Sequence, residues 1–172
     1  MSSLSFVDVT LDELRGLLDQ ADWQELFVAV SRCTEFAGNA SDVVDAFLEH
    51  HRVTPRWIQR AVFNPERLPA VDRSMAERYV AVLLQRELAY GTARLPREVA
   101  LRGAALFLEP FGAGTVFYPS ISLTAEVLTA KERDQPCGYG VYTGIFGSTL
   151  EEGIFAVDPG GCIGALFVGD ED

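Results

Sequence analysis

Positive charge is scarce at both ends of this chain, and lysine is almost missing. Lys131 is the single lysine among fourteen basic residues, and after Arg133 seven carboxylates follow with no base among them. Histidine is confined to the adjacent pair His50 and His51. The three cysteines, Cys33, Cys137 and Cys162, form no close pair, which argues against a disulfide framework or a thiolate zinc site and for ordinary buried thiols. No stretch approaches the roughly 18 apolar residues that a membrane-spanning helix needs. Residues 1–6 carry no basic segment and no long apolar run of the secretory kind, so the cytoplasm is the expected location. No Gly-Lys-Ser/Thr follows any glycine cluster, which removes the usual phosphate cradle.

What the chain does have is acid, unevenly placed. Residues 1–51 hold ten carboxylates against two arginines, residues 52–133 hold twelve bases against eight acids, and residues 134–172 hold only acids, within a net charge of −11. A surface of that sign repels nucleic acid and anionic lipid and favours a basic protein as partner. Thirteen arginines in the chain offer planar, paired contacts to those carboxylates, so the alternative is that the acidic ends meet the basic middle internally. With 172 residues, 48% of them apolar, the chain has material for one well-filled core, and a single domain over 1–172 is expected.

The first two thirds read as helices. Thr10 and Glu13 have capping-box spacing before Leu14, Leu17 and Leu18. Asp22 and Glu25 repeat it, and Trp23, Leu26, Phe27, Val30 and Cys33 predict a second helix that ends near Gly38. A third should begin at Ser41 and bury Val43, Val44, Phe47 and Leu48; a fourth should follow Thr54-Pro55. A strong helical period runs from Asp72 to Ala89, with Gly91 as terminator. Residues 96–108 favour helix over strand. Beyond Pro110 the texture becomes that of strands, at 115–118, 120–128, 139–146, 153–157 and 162–168. Asp158-Pro159-Gly160-Gly161 is the strongest turn signal and predicts a hairpin over 153–168. The fold class is therefore α+β: a helical part over about 1–109, packed on a C-terminal antiparallel sheet of four to five short strands over about 110–172.

Candidate sites follow from residue type and spacing. Asp42, Asp45 and Glu49 stand three and four apart, which places them in one stripe along a helix. Glu151 and Glu152 read as a solubilising, partner-facing loop, and Asp170, Glu171 and Asp172 as an acidic terminus. Trp57, Tyr139 and Tyr142 are aromatic anchors for such an interface. Adjacent histidines point about 100° apart in a helix, so His50 and His51 share a small site only where the helix ends, and a metal site there must borrow a ligand from elsewhere. No metal or cofactor is expected. Arg56 and Arg60 share a helical face, and 43–62 faintly echo a helix-turn-helix, but the neighbouring acids oppose phosphate. The glycines between 138 and 169 read as places where a ring or another backbone comes close.

These features predict a non-enzymatic protein that presents an acidic surface to a basic protein partner, with an inhibitor or immunity-type neutraliser as one concrete version. The competing reading is a small-ligand-binding protein, or a cysteine-dependent enzyme on the glycine-rich sheet with Cys162, His50 and Glu151 as its residues. A homodimer joined through a sheet edge or a helix face is the third.

Overall fold

The computed structural model describes residues 4–33, 38–53, 69–88, 91–137 and 150–170. The fold is α+β: among the described residues, five helices accompany one five-stranded antiparallel sheet. In chain order the elements are β1 (Phe6–Asp8), α1 (Asp12–Leu18), β2 (Glu25–Cys33), α2 (Ala40–His50), α3 (Arg73–Gln85), α4 (Arg97–Leu108), β3 (Val116–Pro119), α5 (Ala125–Glu132), β4 (Leu150–Asp158) and β5 (Cys162–Asp170). The strand order is β1-β2-β5-β4-β3.

The β4–β5 hairpin forms the centre, closed by the turn at 158–161, where Gly161 takes φ +99° and the Asp158 carboxylate accepts from the Gly160 amide at 2.8 Å. β5 is buried along its whole length because helices cover both faces of the sheet. On one face α1, α3 and α4 pack Leu14, Tyr79, Leu84 and Phe107 against Val28, Val30, Ile154 and Leu166. On the other, α2 packs Val43, Val44 and Phe47 against Ala29, Phe155, Ile163 and Phe167. A strand covered on both sides reads as a continuous apolar run rather than an alternating one.

That rule explains the main correction. The segment expected as a second helix, through Trp23 and Cys33, is β2, paired with β5 in the register Phe27↔Phe167, Val28↔Leu166 and Ala29↔Ala165. Its run of Leu26 to Val30 satisfies a helical period and a doubly covered strand alike; the aromatic and β-branched residues suit the pleat. The sheet thus draws two of its strands from the N-terminal third, and they belong to the same sheet as the C-terminal hairpin.

Smaller corrections follow capping chemistry. α1 starts after Leu11 with no side-chain cap, so the Thr10–Glu13 box does not form; Asp12 and Glu13 instead lie at the positive end of the helix. α2 starts at Ala40, one residue early, because Asn39 caps it. α3 ends at Gln85, as Arg86 turns extended and bridges to Ala93. The 120–128 segment is not a strand: Ile121 and Leu123 are buried, then Thr124 accepts from the Val127 amide at 3.2 Å and opens α5. The expected helix after Thr54 and the strand at 139–146 lie outside the described residues.

Candidate functional site

α2 determines where its charges go. With Val43, Val44, Phe47 and Leu48 turned into the sheet, Asp42, Asp45 and Glu49 are left on the solvent side, as their spacing predicts. The helix stops at His50. His51 leaves helical geometry at φ −84°, ψ 5°, and Arg52 follows in the left-handed region at φ 57°. This exit is the condition under which neighbouring histidines can share a site, and here they do.

Both rings converge on Asp8, the last residue of the edge strand β1. His50 Nε2 lies 2.9 Å from Asp8 Oδ1, and His51 Nε2 lies 3.5 Å from the same oxygen. Antiparallel pairing sets Ser31 of β2 directly opposite Asp8; the Ser31 hydroxyl donates to Asp8 Oδ1 at 2.9 Å and lies 2.9 Å from His51 Nε2. Phenylalanines hold the imidazoles: Phe6 stacks at a tilt on His50 with centroids 5.3 Å apart, while Phe47 and Phe27 meet His51 edge-on at 4.7 and 5.8 Å. Asp8 is 61% exposed, His50 32% and His51 16%, so the cluster opens outward from Asp8 over a closed base of serine and aromatic rings. The hydrogen bond to His50, partly opposed by burial and helped by Ser31 and by the charge of both imidazoles, holds the Asp8 carboxyl below its ordinary range. Burial pulls the His51 pKa down; Asp8 pulls it the other way, while His50 and Arg15 add to the lowering.

Serine, histidine and acid together invite comparison with a catalytic relay, but the geometry differs. A relay places serine and carboxylate on opposite ring nitrogens, whereas Ser31 and Asp8 approach the same Nε2 of His51. Ser31 is also fully buried, so no substrate carbonyl reaches it. Asp8 and Ser31 escaped sequence reasoning because β1 has three residues and its pairing joins positions 23 apart.

The thiol and imidazole of the competing reading lie on opposite faces of the sheet. Cys162 pairs with Arg32 and packs in the core under α1, α3 and α4, one residue out of phase with Ile163, which faces α2 and the histidines. Burial pushes the Cys162 thiol up to about 11, away from the thiolate that catalysis needs. Glu151 and Glu152 are also not a surface loop. They lie in β4, each only 3% exposed and on opposite faces of the strand. Glu152 accepts from the Tyr79 hydroxyl at 2.9 Å and from Lys131 Nζ at 2.8 Å, so its charge is met inside. Asp170 is likewise buried, as the end of β5, bonded to Arg94 and to the Leu88 amide. Trp57, Tyr139 and Tyr142 lie outside the described residues.

A polar cleft of about 550 Å³ runs between α3 and the 131–137 segment, but two of its cations, Arg86 and Lys131, already face Asp134 and Glu152. No helix of the described residues is long and apolar enough to cross a membrane. No protein-family model matches the chain, and neither the curated proteins nor the solved structures compared with it gave a match.

Proposed function

We propose that the chain is a non-enzymatic binding protein that presents the outer face of α2 to a basic protein partner. The observation that carries this reading is the contrast between its acids. Glu152 and Asp170 are only 3% and 4% exposed, inside the fold, whereas Asp42, Asp45 and Glu49 lie on the solvent-exposed side of α2 in one stripe. The opposite side of α2 is committed to the core, so this face has no freedom to turn inward. A stripe of carboxylates steers a basic partner towards itself and accepts from its arginines and lysines at contact. An inhibitor or immunity-type neutraliser of a basic enzyme in the cytoplasm is the narrower form of the proposal. Against an enzymatic reading stand the high pKa of the Cys162 thiol and its place across the sheet from both imidazoles.

The test is capture of partners from lysate at low and at high salt, with the intact chain and with a D42N/D45N/E49Q variant. A discrete basic protein that is retained at low salt, released as salt is added, and associates about 10-fold more slowly with the variant supports the proposal. Absence of a salt-sensitive partner, or equal capture by the variant, overturns it. Light scattering on the same samples identifies a second copy of this chain as the occupant, which would equally overturn the assignment of a foreign partner.

A further inference from the structure

We propose that Asp8, His50 and His51 form a binding site for a divalent transition metal ion of the zinc class, with its remaining coordination facing solvent. Each residue offers one ligand atom, and the three atoms lie within 4.8 Å of one another. Two of the separations are 2.9 and 3.5 Å. Ligand–metal bonds of about 2.0–2.2 Å in a tetrahedral site put neighbouring ligand atoms roughly 3.4 Å apart, so these values bracket the zinc spacing. Two borderline imidazole nitrogens beside one hard carboxylate oxygen suit zinc, cobalt or nickel rather than calcium or magnesium, which prefer all-oxygen sets.

The surroundings have the features such a site needs beyond its ligands. Two separate elements deliver the three donors: the edge strand supplies Asp8, and the exit from α2 supplies both imidazoles. The buried Ser31 hydroxyl on β2 touches Asp8 Oδ1 and His51 Nε2 together, so it holds these two ligand atoms side by side and gives up its contacts to an arriving ion. Phe6, Phe27 and Phe47 limit the rotation of the rings, which lowers the entropy lost when an ion is gripped. Asp8, the most exposed member, is the point of entry. A tie between β1 and α2 needs one histidine on one carboxylate oxygen; this chain brings both of its histidines to the same oxygen.

The experiment is titration of the purified full chain with Zn²⁺ by calorimetry and with Co²⁺ by absorption. One ion per chain is expected, with the visible bands of a four- or five-coordinate cobalt site and no thiolate-to-cobalt charge transfer in the near ultraviolet. H50A and D8N each remove one of the three ligands and weaken binding about 100-fold or abolish it. His50 is more exposed than His51, so H50A is the variant least entangled with folding, and far-ultraviolet dichroism verifies its fold. No uptake by the intact chain, uptake unaltered in folded H50A and D8N, or a thiolate band that places the ion on cysteine would each overturn the proposal. Because metal uptake is read with no partner present, its outcome is independent of the salt-sensitive capture above.

Discussion

At Gly153 a Cβ would stand 2.3 Å from Phe167 Cγ and 2.5 Å from the Leu166 carbonyl oxygen, both parts of the strand directly across the hairpin. A ring can rotate a little, but a central-strand carbonyl cannot, so G153A must spread β4 from β5. The expected loss is about 3 kcal/mol in chemical denaturation, at the upper end of what overpacking costs. Gly16 is the converse case: it lies in the exposed part of α1, and a Cβ there meets nothing within 4 Å. G16A should therefore stabilise by about 0.5–1 kcal/mol, since alanine loses less backbone freedom on entering a helix. Opposite signs for one chemical change, measured in one urea series, test the packing directly; a neutral G153A would contradict the close approach of Phe167. Gly164, with Phe111 Cζ 2.6 Å from its missing Cβ, repeats the pattern of glycine under a ring that the sequence suggests for this sheet.

Among the elements, the turn between β4 and β5 joins local sequence to distant structure. Asp158 accepts from the Gly160 amide at 2.8 Å within the turn and from the Gly112 amide at 2.9 Å in the loop after α4. Partial burial works to raise its pKa, but these two amides, then Thr115 and the charge of Arg73, outweigh it and leave the carboxyl below its ordinary value. A carboxyl whose folded pKa is depressed stabilises the fold at pH values above its unfolded pKa of about 3.9, and that contribution is lost as pH falls through the folded value. D158N should cost about 1 kcal/mol at pH 7, after allowance for solvent screening, and the gap to the parent should close below about pH 4. A gap that persists unchanged at pH 2 would assign the loss to shape instead of charge. This hairpin, α3, α4 and the acidic stripe of α2 were legible because their signals are local: a turn tetrapeptide, capping residues and an unbroken period. β2 was not, because burial on both faces erases the alternation that marks a strand. α5 hid behind the chance alternation of Ile121, Leu123, Ala125 and Val127, with Thr124 as its one missed cap. The histidines of the candidate site were visible as a pair, while Asp8 and Ser31 joined them only through sheet pairing, which no local window contains.

Over the whole molecule, the division of charge along the chain resolves into two different uses. The basic middle reaches outward to both acidic ends: Arg94 holds Asp170, Lys131 holds Glu152, and Arg102 holds Glu13 at 2.9 Å on the surface. The first two lie inside. Arg94 and Asp170 have side chains only 3% and 5% exposed, and the Arg94 guanidinium sits over the Trp23 ring, 4.9 Å from its centroid. Neither member of a pair so buried can lose the other cheaply, since the survivor keeps its desolvation cost without the compensating attraction. D170N retains an oxygen for the Leu88 amide but leaves the guanidinium without a counter-charge, and it should cost about 3 kcal/mol. R94M/D170N removes the stranded charge, keeps an apolar side chain on Trp23, and should be more stable than D170N alone. Simple additivity of the two single changes, to within about 0.5 kcal/mol, would mean that the pair is not coupled. Added salt should leave this coupling energy nearly unchanged, because mobile ions screen a buried pair poorly. The same salt should release any partner held by Asp42, Asp45 and Glu49, so ionic strength separates carboxylates that build the fold from those that face outward.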